Sequence, residues 1–217
     1  MRGLPKSFKK QMISLIQTGP MKAVSISIVV AVLMTCGSAA LAKPVEKTKY
    51  AFYTSSGVTA QEVYRAMQRR GPNVNGAKAY ASTSATAVQN GKLLQGSYCK
   101  IVDYRIKLDF VIKLPRIGNE KILPTADRSH WRQFSAFLKQ HEETHRRIWL
   151  GCAADVERQV KAIKTKSCQD ASRRAAQLWE KMRNSCRKKH EAFDAAEQKR
   201  LMTHPFVKLV FRRAAGD

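Results

Sequence analysis

Acidic side chains are the chief deficit of this sequence. Asp and Glu number 16 against 40 Lys and Arg in 217 residues, a formal net charge of +24. Such a surface draws anionic partners: lipopolysaccharide, membrane phosphates, acidic wall polymers or stray nucleic acid. The alternative is that the charge simply solvates the surface. Two further absences narrow the field. There is neither an arginine-rich low-complexity tail nor zinc-finger spacing, so no dedicated nucleic-acid binding is expected. No internal repeat is visible.

Long apolar runs are missing too, with one exception near the start. Residues 21–42 read MKAVSISIVVAVLMTCGSAALA: a lysine, an apolar core, then Ala40-Leu41-Ala42, a small-x-small cleavage site. This is the pattern of a secretory signal peptide over residues 1–42. The core is short for a membrane span of about 20 residues. The leader before it is long for an n-region, which makes Met21 an alternative start. Export to the periplasm or the medium is expected, with no membrane span after cleavage. Residues 43–217 then form one domain. The leader holds five of the 40 basic residues and none of the 16 acids, so the mature chain keeps 35 against 16, a net of +19.

Cysteine is sparse, and its spacing is wrong for a zinc knuckle: no two mature cysteines lie two to four residues apart. An even set of four in an exported chain (Cys99, Cys152, Cys168, Cys186) points instead to two disulfides, with three possible pairings.

What is present reads as an α+β chain. Lys43 to Lys49 is a polar lead-in and Tyr50 to Tyr53 a short strand. Thr59 with Glu62 three residues on is a capping-box signature for a short helix that Gly71-Pro72 stops. An Ala/Ser/Thr-rich stretch, Lys78 to Gln89, leads to Asn90-Gly91, a hairpin signal. The segment from Cys99 to Leu114 alternates with period two: Val102, Tyr104, Ile106, Leu108, Phe110, Ile112 and Leu114 share one face. Pro115 ends it. The expectation is an N-terminal antiparallel sheet with one wet face. Were Cys99–Leu114 an edge strand, its free backbone groups would align an extended peptide.

After a loop, Ser129 is placed to cap a helix from about Trp131 to Ala162. Trp131, Phe134, Leu138, His141, His145, Ile148 and Cys152 recur at steps of three and four, one inward stripe. A second helix runs from about Gln169 to Leu201. The short connection makes the two an antiparallel hairpin.

Histidine is rare, five in all, yet two fall in His141-Glu142-x-x-His145. By composition a chance match has odds on the order of one in a hundred. Histidines four apart on a helix project from the same face, so both imidazoles can reach one metal. Glu142 can then act as general base toward a water acidified by zinc. Two histidines on an apolar seam would otherwise be buried polar groups in need of partners. Metzincin spacing is excluded, because Ile148 and Gly151 stand where Gly and His would be. With the turn near Ser167 to Gln169, the hairpin brings His190, Asp194 and Glu197 level with the two histidines, without ranking them. Cys152 and Cys186 are also near-opposite, leaving Cys99 to pair with Cys168.

These residues resemble a bacterial family of predicted secreted zinc-dependent proteases, a domain of unknown function containing His-Glu-x-x-His. The likeness rests on the Tyr-rich extended start, Arg70-Gly71-Pro72, the long strand with Cys99, Trp131-x-x-Phe134 leading into His141-Glu142-x-x-His145, and the aromatic-Asp pair Phe193-Asp194. It covers most of residues 48–200. It implies a single zincin-like catalytic domain, with His141, His145 and Asp194 holding Zn2+ and Glu142 as base. The family pattern also carries a Thr-x-His-Gly element after the Asp. Here the nearest histidine is His204, followed by Pro205, and no role carries over to it.

The leading expectation is an exported zinc metallopeptidase acting on peptide or protein substrates. The alternatives are a basic envelope protein that holds anionic polymers, its metal structural or absent, and a zinc amidase acting on cell-wall material.

Overall fold

The computed structural model describes residues 44–214; the expected leader, its cleavage site and the alternative start at Met21 lie outside them. The chain is α+β. The elements are β1 (Val45–Thr54), α1 (Ala60–Arg70), β2 (Asn73–Val74), β3 (Ala77–Lys78), β4 (Ser82–Gln95), β5 (Cys99–Arg116), a 3-10 turn (Glu120–Ile122), α2 (Thr125–Lys161), β6 (Lys164–Thr165), α3 (Cys168–Thr203) and α4 (Pro205–Ala214).

The main sheet has the order β1-β5-β4, with β6 pairing the start of β5. It is mixed rather than antiparallel. β4 and β6 run antiparallel to β5, but β1 is parallel to it, because the chain returns to β5 in the same direction after the crossover through α1 and β4. β5 is therefore the central strand and not an edge. β1 also starts earlier than its aromatic segment suggests. Its lysines lie on a wet edge, where apolar alternation is weak.

The long strand alternates as expected from Tyr104 to Leu114, but Ile101 rather than Val102 is buried. The cause is a bulge at Asp103, whose φ is 53°. The register between β4 and β5 shifts there, opposite Gly91. A Cβ at Gly91 would stand 3.0 Å from Tyr104 Cδ2 and 3.1 Å from Ile101 Cγ2. Asn90-Gly91 thus serves a bulge, not a hairpin turn. β4 runs through it, and the chain turns instead at residues 96–98, where Gly96 N–H bonds Tyr98 O at 3.1 Å. The tight Asn-Gly turn is at Asn75-Gly76, both at positive φ (50° and 79°), joining β2 to β3. Pro115 lies inside β5, past Lys113, the last residue paired with β4.

Thr59 caps α1, accepting from Glu62 N–H, while Glu62 reaches back to Val58 N–H at 2.7 Å. α2 begins at Thr125 after Pro124 and has no side-chain cap, so Ser129 lies within it. Its first turn is held instead by Asp127, fully buried, which accepts from Ala60 N–H at 3.2 Å. The stripe passes through Trp149 rather than Ile148, since a 3.6-residue period drifts away from steps of three. α3 starts at Cys168 with Ser167 as its cap.

α2 and α3 form the hairpin, and the Cys152–Cys186 disulfide crosses it. Cys99–Cys168 ties β5 to the start of α3. One core cluster joins α1, α4 and the first half of α2. A second lies between β5, the rest of α2 and α3. α4, not anticipated, packs Phe206, Val207 and Val210 into the first. Among the described residues no helix is long and apolar enough to cross a membrane.

Candidate metal centre

His141, Glu142 and His145 are all buried, at 2, 4 and 1 % exposure. The two histidines face α3 because they continue the apolar stripe of α2. Asp194 meets them from α3. Its Oδ1 lies 3.2 Å from His141 Nε2 and 2.9 Å from His145 Nε2, and the two Nε2 atoms are 2.9 Å apart. Three donor atoms thus converge in one triangle, two from a single turn of α2 and one from α3.

The set fits a divalent cation such as zinc. Asp194 Oδ1 is buried without a well-formed hydrogen bond, and two imidazole nitrogens face each other beside it. Few protons can satisfy three such atoms at once, whereas one cation satisfies all of them. A tetrahedral zinc with bonds of about 2.0–2.1 Å spaces its ligands by roughly 3.3 Å, close to the triangle observed. Burial would raise the Asp194 carboxyl, but the two imidazoles beside it, His141 and His145, outweigh that and hold it below the usual range.

The two other residues level with the histidines play different parts. Glu197 pairs with Arg200 at 2.8 Å. His190 stands behind His145, Nδ1 to Nδ1 at 2.8 Å, with its Nε2 3.7 Å from Cys186 Sγ. If His145 ligates through Nε2, its proton sits on Nδ1 and is donated to His190, which must accept. Burial, and then the charge of His145, lower the pKa of His190 to about 4 against the pull of Asp194, so it is the neutral imidazole that such a bond requires. His141 is held by packing instead: its Nδ1 has no hydrogen-bond partner among the described residues, and Phe193 stacks on its ring at 4.7 Å.

Glu142 turns toward the sheet, where Thr83 Oγ1 donates to its Oε2 at 2.8 Å. Burial pushes its carboxyl up to about 7. His145 and the Thr83 hydroxyl pull it down, and Asp194 adds to the rise. Thr83 was not singled out from the sequence. It lies in a stretch of Ala, Ser and Thr where nothing marks one hydroxyl from its neighbours. Glu143 accepts from Tyr50 and pairs with Arg146, which also holds Glu46. These contacts fasten β1 to the helix that carries the histidines.

The family model described as "Bacterial protein of unknown function (DUF922)" matches residues 50–202. The chain belongs to the DUF922 family. The matched span contains β4, β5, α2 and all but the last residue of α3, and so every residue of the candidate centre in this DUF922 protein. No curated protein and no solved structure matches the chain.

Proposed function

We propose that this DUF922 protein is an exported zinc metallopeptidase. The observation that carries the reading is the convergence of His141 Nε2, His145 Nε2 and Asp194 Oδ1, with Glu142 on the same helix beside them. His141, His145 and Asp194 would hold the zinc, which would supply Lewis acidity toward water and a substrate carbonyl. Glu142, its carboxyl raised toward neutrality, is suited to take the proton of the attacking water and return it to the departing amine. Asp194 contributes one negative charge, His141 and His145 none, so the ligand set leaves a positive centre able to polarise.

β4 supports a peptide as substrate. It is an edge strand in the sheet, and its Thr83 touches the proposed base. A peptide added as the next strand on the free edge of β4 would lie beside Glu142. The edge in question is that of β4, since β5 is paired on both sides. Two disulfides are in keeping with an oxidising, extracytoplasmic compartment.

The test is cleavage of an unstructured protein by zinc-loaded wild type and Glu142→Gln, with zinc content measured on both. The expected result is zinc in both proteins and a loss of activity in the variant of about 100-fold or more. Equal activity in the two would sink the assignment of Glu142.

A further inference from the structure

One face of β5 is buried against the helices; the other is open, and its charges follow a pattern. Cross-strand partners share a face, so the register shows what stands beside each open residue. At the first level Lys100 lies directly opposite Lys164 of β6. At the next, Lys92 of β4 stands beside Val102. Past the bulge, Arg105 and Lys107 supply two levels themselves. Lys47 and Lys49 of β1 then stand beside Asp109 and Val111, and Lys113 closes the run. Every open level from 100 to 113 thus carries a cation. The levels are about 6.7 Å apart and span roughly 40 Å.

Carboxylates do not balance this ladder. Asp109 holds Lys107 at 3.1 Å, Asp103 holds Lys92 at 3.7 Å, and Glu157 approaches Arg105 at 4.0 Å. Lys47, Lys49, Lys100, Lys113 and Lys164 have no ion-pair partner among the described residues, though the Lys113 ammonium lies 6.0 Å from the Tyr53 ring. Lysines on edge strands guard against unwanted pairing, which accounts for those on β1 and β4. It does not account for those on β5, which is central. Nor does it account for Lys100 opposite Lys164, since like charges directly opposite are destabilising.

We propose that the open face of the sheet docks a linear phosphodiester polymer lying along β5, successive phosphates meeting successive cations. Ammonium groups serve phosphate oxygens as point charges, and Ser82, Ser84 and Thr86 of β4, beside Lys113, Val111 and Asp109, add hydroxyl donors. No aromatic ring stands on the levels from 100 to 113, so the surface has no platform for stacking bases and reads charge and spacing alone. The proposal is independent of the metal centre.

The test is fluorescence anisotropy of the purified protein with labelled abasic deoxyribose-phosphate oligomers, which carry phosphodiesters and no bases. An oligomer of about 16 phosphates should bind more tightly than one of about 4. Lys49→Gln/Lys107→Gln/Lys113→Gln should weaken binding of the longer one about tenfold and flatten its salt dependence by about two in log–log slope. A second ladder variant, Lys47→Gln/Lys49→Gln/Lys100→Gln, should do the same. Lys181→Gln/Lys188→Gln/Lys199→Gln, which removes equal charge from exposed positions of α3, should change affinity less than about threefold. Equal losses in ladder and α3 variants would overturn the proposal in favour of net charge. So would equal binding of short and long oligomers, or no binding at all. Binding to phosphatidylglycerol vesicles that needs the ladder, with none to the oligomers, would replace the polymer with a membrane surface.

Discussion

Thr83 Oγ1 lies 2.8 Å from Glu142 Oε2, and both residues are buried. The contact joins an edge strand to the residue between two histidines. It orients the carboxylate that the proposed chemistry uses, and it offsets part of the cost of burying it.

Removing that hydroxyl has two expected consequences. Thr83→Val keeps the shape and leaves Glu142 short of a donor, which costs about 1–3 kcal/mol of stability. It should also lower kcat more than it alters KM, because the peptide does not depend on this hydroxyl for binding. Thr83→Ser should restore both. Thermal unfolding and steady-state kinetics on the three proteins check this, and a Val variant with wild-type kcat would remove Thr83 from the site.

The pairing of His190 with His145 calls for an acceptor at one atom, not for a third ligand. His190→Asn keeps an acceptor near the position of Nδ1 and should hold zinc nearly as well as wild type. His190→Leu should lose about 10- to 100-fold in zinc affinity, as partners behind a ligand typically do. Competition with a chromophoric chelator measures both. Complete loss of zinc in both variants would mean that His190 binds the metal directly.

His204 predicts a pH dependence away from the centre. It caps the end of α3 and packs on Phe134 and Phe137 at 5.1 and 5.4 Å between ring centres. Burial, and then the charge of His130, lower its pKa below 6.5. A base depressed on folding contributes stability that is full above its unfolded pKa and is lost as pH falls from about 6.5 through the folded value. Tm should therefore drop on acidification, and less steeply in His204→Asn, which keeps an acceptor for Phe206 N–H. Parallel Tm–pH curves for the two proteins would contradict this.

Much of the candidate centre was legible because its logic is local. A step of four on an apolar stripe put His141 and His145 inward, and a short connection mirrored them onto one turn of the partner helix. That mirror resolves level along the axis, but not the rotation that aims Asp194 at the pair and His190 behind it. Strand partners were less legible, since pairing joins distant segments. Nothing local shows that β1 lies parallel to β5 or that β5 is central. Asn90-Gly91 misled for a physical reason: the backbone freedom that favours a tight turn also serves opposite a bulge. The same bulge moved Val102 off the buried face.

The central claim is that one zinc sits between α2 and α3. Anomalous diffraction at the zinc edge, from crystals grown with zinc, tests it directly. The expected result is one strong peak about 2.0–2.1 Å from His141 Nε2, His145 Nε2 and an Asp194 carboxylate oxygen. A peak bound by His190 or Glu197 in place of Asp194, or no peak between the two helices, would contradict it.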